Sequence, residues 1–280
     1  MNNLIDFIYA PLAHDFMIRA LLMSFVIAIS CSIFSCFLVL KGWSLMGDAI
    51  SHAVLPGLVL AALLGLPLIV GAFISGFSCA FLVGYVKNNC RLKEDTVMGI
   101  IFTFMFAVGL ILLTKIETEL HLMHVLFGNI LGILEKDLMI STIIGFVCSF
   151  LLILKKKDFF LYCFDPVYVG SIGFPKKIFH YALLILLSMS IVSSLKAVGI
   201  VLVLAMLITP GATGYLICRT FNSMLIVAVG ISVLSCLIGT ILSFHFDLST
   251  APLIVLIQAS IFLFSLPLKN LYVKFLCAQQ

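Results

Sequence analysis

Eight stretches of this chain contain no Asp, Glu, Lys or Arg: Ala20–Leu40, Ala49–Val86, Thr96–Thr114, Leu138–Leu154, Ile178–Leu195, Ala197–Cys218, Thr220–Phe246 and Leu248–Leu268. Crossing a bilayer takes about 20 apolar residues of helix. Within the hydrocarbon a helix satisfies its own backbone N–H and C=O groups. Runs of this length therefore predict an all-α, polytopic integral membrane protein. The stretch 49–86 has room for two helices, with a turn at Leu64-Gly65-Leu66-Pro67, because proline disfavours helix at the residue before it. That gives nine spans, or eight if an end helix lies on the surface. The segment His121–Leu134 is apolar but only fourteen residues long, and reads as interfacial or re-entrant.

Composition agrees with this picture. Of the 280 residues, 63% are hydrophobic and 10% charged, against about 25% charged in soluble domains. No soluble domain, internal repeat or low-complexity segment interrupts the chain, so residues 1–280 read as a single transmembrane domain. The N-terminal residues lack a basic stretch, and the first apolar run is too long for a cleaved signal peptide. The nine cysteines form no CxxC pair and read as small core residues. The net charge of +4 is no argument for nucleic-acid binding. Its distribution says more. If the loop holding Lys87, Arg91 and Lys93 is cytoplasmic, nine spans also gather Lys41, Lys155, Lys156, Lys157, Lys176, Lys177, Arg219, Lys269 and Lys274 there. Arg19, Lys115, Lys136 and Lys196 remain outside, as the positive-inside rule asks. The N-terminus is then external and the C-terminus cytoplasmic.

Against so apolar a background, one acidic residue stands out. Asp48 is the single carboxylate between Asp15 and Glu94, in SLMGDAISHAVLPG, and His52 follows four residues later. On a helix these two share a face. An ionised Asp within a membrane is costly and usually faces a cavity or a partner. A divalent cation suits a carboxylate and an imidazole, but two donors are too few for a transition metal. A two-fold homodimer would supply four. In the plainer alternative, Asp48 caps the second helix and His52 packs against a backbone carbonyl.

Three other segments carry signals. The loop 155–177, KKKDFFLYCFDPVYVGSIGFPKK, is flanked by lysines yet apolar in its middle, which suggests a partner surface or a turn lying on lipid. In it, Asp165 and Pro166 start a helix as N-cap and N1, Val167 and Val169 belong to the apolar middle, and Gly170 and Gly173 are expected to end the helix. Pro210-Gly211, inside an apolar run, predicts a kinked or broken helix of the kind that lines transport paths. His121 and His124, with Glu117 and Glu119, and His245 with Asp247, either capture a cation or sit at headgroup level and dock a partner. The chain has no P-loop and no H-E-x-x-H helix, so no ATP-binding or protease motif of its own.

Together GDAISHAVLPG (47–57), LFGNILGI (126–133), FDPVYVGSIG (164–173) and VGIVLVLAMLITPGATG (198–214) resemble the permeases of bacterial ATP-binding-cassette importers for manganese, zinc and iron. SFHFDLSTAPLIVL (243–256) matches more loosely, departing at Ser249-Thr250-Ala251. The resemblance implies a multi-pass permease of the bacterial inner membrane that is not itself an enzyme and holds no permanent cofactor. Its partners would be a second permease copy or a paralogue, a cytoplasmic ATPase dimer and an external solute-binding protein. Asp48 and His52 would be ligands for the transported Mn, Zn or Fe ion. The segment Asp165–Phe174 would be the helix that couples to the ATPase. The rival is a permease of similar architecture for an organic chelate such as a siderophore or cobalamin, which has no need of the Asp48–His52 pair.

Overall fold

The computed structural model describes residues 10–11, 13–115, 135–173 and 175–277. It is helical throughout its regular structure. We label the helices α1 (Asp15–Lys41), α2 (Met46–Leu63), α3 (Leu68–Asn89), α4 (Glu94–Lys115), α5 (Glu135–Leu154), α6 (Lys156–Phe164), α7 (Pro166–Ser171), α8 (Lys176–Val198), α9 (Ile200–Ile217), α10 (Phe221–Phe246) and α11 (Thr250–Cys277).

Among the described residues, eight helices are long and apolar enough to cross a membrane. A ninth span results if α5 and α6, which meet at 74°, are counted as one. The turn expected at 64–67 is present: α2 ends at Leu63, Gly65 takes a positive φ of 65°, and Pro67 precedes the first residue of α3.

The core forms around α1, the most enclosed of the spans. It packs against α5, α9 and α10, while α2 lies between α3 and α4, and α11 covers α9 and α10. The helices have little amphipathic character, as expected where one side meets protein and the other lipid of equal apolarity. Small residues set the closest approaches. A side chain at Gly57 of α2 would run into the carbonyl of Gly71 in α3, and a side chain at Gly71 into the carbonyl of Gly57. Of the described cysteines, Cys31, Cys36, Cys79, Cys148, Cys163 and Cys236 are buried, and none is in a disulfide.

The ends that the charge distribution assigns to the cytoplasm come together. Lys156 donates to Asn222 over 3.2 Å, and Lys41 lies over the Tyr162 ring. At the opposite end Arg19 pairs with Glu135 at 3.4 Å.

Two local expectations are corrected. Pro210-Gly211, expected to kink or break its helix, does not break it: α9 runs unbroken from Ile200 to Ile217, with both residues buried. The Ser35 hydroxyl of α1 accepts from the Gly211 N–H at 2.9 Å and donates to the Ile208 carbonyl at 3.2 Å, tying α1 to the α9 backbone on either side of Pro210. Nor does Gly170 end α7. It lies inside that helix, which closes at Ile172, and Gly173 follows with a φ of 69°.

Candidate functional site

Helix α2 begins two residues before Asp48, so Asp48 sits in its first turn and His52 one turn further on. The N-cap position is Leu45, and no side chain caps the amides there. Asp48 is therefore not occupied in capping. Its Oδ1 stands 3.3 Å from His52 Nε2, with about a third of the Asp side chain and a quarter of the His side chain exposed.

The imidazole is held from α4 by two phenylalanines, themselves four residues apart. Phe102 lies at 5.8 Å between ring centroids, and Phe106 packs edge-on at 5.2 Å. Nothing in the sequence pairs these phenylalanines with His52. They are two among 25, and only the packing of α4 on α2 selects them. Among the described residues no three His, Cys, Asp or Glu side chains gather closely enough to hold a metal ion. The described residues of one chain thus bring two donors together here, Asp48 and His52.

The second region is α6–α7. The N-cap is as expected. The Asp165 carboxylate accepts from the amides of Val167 at 3.1 Å and Tyr168 at 2.9 Å, with Pro166 in the first turn. Such a cap contributes about 1 kcal/mol. The apolar middle of the loop, however, divides into two faces. Phe159, Tyr162, Cys163 and Val169 are buried, whereas Phe164, Val167, Tyr168 and Ile172 are exposed, Val167 at 78%. Val169 is therefore part of the chain's own core and offers nothing to a partner. Spacing alone could not separate the two faces, because the fold around α6 decides which side turns inward.

Pro210 and Gly211 lie in the α1–α9 contact already described. His245 lies in the last turn of α10 beside Phe244, and the C-cap Asp247 adopts a left-handed φ of 52°. Residues 116–134, with Glu117, Glu119, His121 and His124, and Phe174 lie outside the described residues.

The description "ABC 3 transport family" matches residues 13–269. The chain belongs to the ABC 3 transport family. As a member it is a permease subunit, a non-catalytic, multi-pass component of a bacterial inner membrane. It is 54% identical to the chelated iron transport system membrane protein YfeD of Yersinia pestis, over 95% of this chain and 90% of YfeD. It is 48% identical to the manganese transport system membrane protein MntB of Synechocystis, over 91% of this chain and 84% of MntB. Among solved structures, PsaBC from Streptococcus pneumoniae in complex with Fab superposes with a TM-score of 0.83 at 35% identity, covering 94% of this chain and 95% of that one. The helical architecture of this family member is thus shared, over nearly its whole length, with a solved structure.

Proposed function

We propose that this permease forms the translocation path of an ATP-driven importer of a divalent transition-metal ion, and that Asp48 and His52 are its ligands in that path. The observation that carries the reading is the 3.3 Å separation of Asp48 Oδ1 and His52 Nε2 in an otherwise apolar helix. Two donors about 2.1 Å from one ion stand about 3.0 Å apart at a right angle and about 3.4 Å apart at the tetrahedral angle. The pair thus has the spacing of neighbouring ligands on a single ion. First-row ions take four to six donors, so the reading needs a two-fold partner, either a second copy or a paralogue, to bring another Asp and another His. Oxygen and nitrogen donors together suit manganese and iron, the cargoes named for the relatives, and also zinc.

The energy comes from elsewhere. In this reading the exposed apolar residues Phe164, Val167, Tyr168 and Ile172 dock into a cytoplasmic ATPase dimer, and an external solute-binding protein delivers the ion. Two experiments test the proposal. In proteoliposomes holding the complete transporter, Asp48→Ala and His52→Ala each abolish uptake of limiting Mn²⁺ while the ATPase still co-purifies. Normal uptake by either variant would falsify the ligand assignment. Separately, Val167→Glu strands a charge in the docked surface and releases the ATPase from a folded chain. Val169→Glu instead lowers the yield of folded permease, since that side chain is fully enclosed.

A further inference from the structure

A cluster built on two buried aromatic side chains joins the two regions that the proposed function uses. Tyr162 of α6 places its hydroxyl 2.8 Å from His180 Nδ1 of α8. On the same imidazole, Trp43 packs edge-on at 5.3 Å between centroids and 78° between planes. Lys41 Nζ lies 4.3 Å from the Tyr162 ring centroid and 5.7 Å from that of Trp43, within reach of a cation–π attraction for both. Trp43 and Tyr162 are each 1% exposed.

Trp43 is fixed at the start of the metal-site helix. Its N–H donates to the Leu38 carbonyl of α1 at 2.9 Å, and its carbonyl accepts from the N–H of Met46, the first residue of α2, at 3.1 Å. Asp48 follows in that same turn of helix. At the other end, α6 is separated from α7 by Asp165 alone, and that carboxylate is bonded to the α7 amides. A force on α7 therefore moves α6. Close-packed side chains transmit displacement because they have no free volume to absorb it.

We propose that Trp43, Tyr162 and His180, with Lys41 above them, form the joint through which movement of α6 and α7 reaches the N-terminal turn of α2 and its Asp48–His52 pair. The inference rests on the docking and ligand readings above. These are positioning residues: none touches the ion.

A further observation gives an independent handle. A methyl group on Gly84 of α3 would stand 2.8 Å from His180 Nε2, a buried atom that has no hydrogen-bond partner among the described residues. Gly84→Ala thus presses on the imidazole from the side away from Tyr162 without altering the cluster itself.

The test measures Mn²⁺ moved per ATP hydrolysed, in proteoliposomes holding permease, ATPase and binding protein, with ATPase co-purification scored in parallel. Tyr162→Phe and Gly84→Ala each lower this ratio about tenfold, the size of an ordinary coupling between sites, while the ATPase stays bound and continues to hydrolyse ATP. His180→Gln, which keeps a polar atom for Tyr162, retains more of the ratio than His180→Leu. An unchanged ratio in both Tyr162→Phe and Gly84→Ala overturns the joint and leaves docking intact. Loss of ATPase capture in these variants also overturns it, since the cluster would then only support the docking face. If the wild-type chain captures no ATPase, the docking reading fails first and the joint fails with it.

Discussion

The chain contains two Pro-Gly pairs inside helices, Pro56-Gly57 in α2 and Pro210-Gly211 in α9. They share several features. Each proline is buried in a helix that continues past it, each glycine admits a neighbouring helix to van der Waals distance, and each site receives a serine from that neighbour. Ser75 of α3 donates to the Ala53 carbonyl at 2.6 Å, and Ser35 of α1 bonds both Gly211 and Ile208. They differ one turn upstream. The residue four before Pro56 is His52, paired with Asp48. The residue four before Pro210 is Met206, fully buried, with its sulfur 3.0 Å from Gln258 Nε2. Proline and glycine in a membrane helix thus mark where another backbone comes close. Whether such a place also handles an ion depends on the polar side chains beside it.

The largest expected effect sets these upstream turns against each other. Asp48→Ala and His52→Ala remove uptake, whereas Met206→Leu, a swap that conserves volume, leaves Mn²⁺ uptake per folded molecule within about twofold of wild type. Complete loss of uptake in Met206→Leu, with folding unimpaired, would put α9 in the path as well and remove the distinction.

Much of this was legible in the sequence, for identifiable reasons. Runs free of charge give the spans, because lipid excludes ionised groups. Pro67 after Gly65 gives the α2–α3 turn, and Asp165-Pro166 gives the cap of α7, because these are local backbone effects. The Asp48–His52 contact is fixed by helical period alone. What escaped depends on partners distant in sequence. Ser35 and Gly211 meet across 176 positions, so nothing local showed that α1 would be tied to the backbone beside Pro210 and the helix would stay whole. Trp43, Tyr162 and His180 belong to three separate segments and read singly as ordinary apolar or aromatic positions. Val169 and Val167 are alike in sequence and opposite in exposure, because the orientation of α7 is set by α6 beneath it.

The next effect falls on the glycines. In Gly57→Ala the methyl meets the backbone carbonyl of Gly71, which can yield only if α2 and α3 separate. In Gly211→Ala it stands 2.6 Å from the carbonyl carbon and oxygen of Ser35. Each costs about 3 kcal/mol, the upper range for overpacking, read by unfolding titration in mixed micelles. The two should separate in function. Gly57→Ala displaces the helix that carries Asp48 and His52, so uptake per folded molecule falls with stability. Gly211→Ala lowers the amount of folded protein, and the molecules that do fold transport normally. Equal uptake per folded molecule in the two variants would break the comparison at this level.

The smallest effect concerns the serines. Side-chain hydrogen bonds between membrane helices average about 0.6 kcal/mol, because the unfolded chain in lipid also finds partners. Ser75→Ala deletes one such bond, to Ala53, and costs about 0.6 kcal/mol. Ser35→Ala deletes two, one accepted from Gly211 and one donated to Ile208, and costs about 1.2 kcal/mol if they act independently. Neither substitution opens a clash, so the same unfolding titration isolates the hydrogen bonds from the glycine packing. A cost at Ser35 no greater than at Ser75 means that the second bond contributes nothing, and that α1 and α9 are held together there by packing. A cost at least twice as large means that both bonds of the Ser35 hydroxyl hold α1 against α9 beside Pro210, where the sequence predicts a kinked or broken helix.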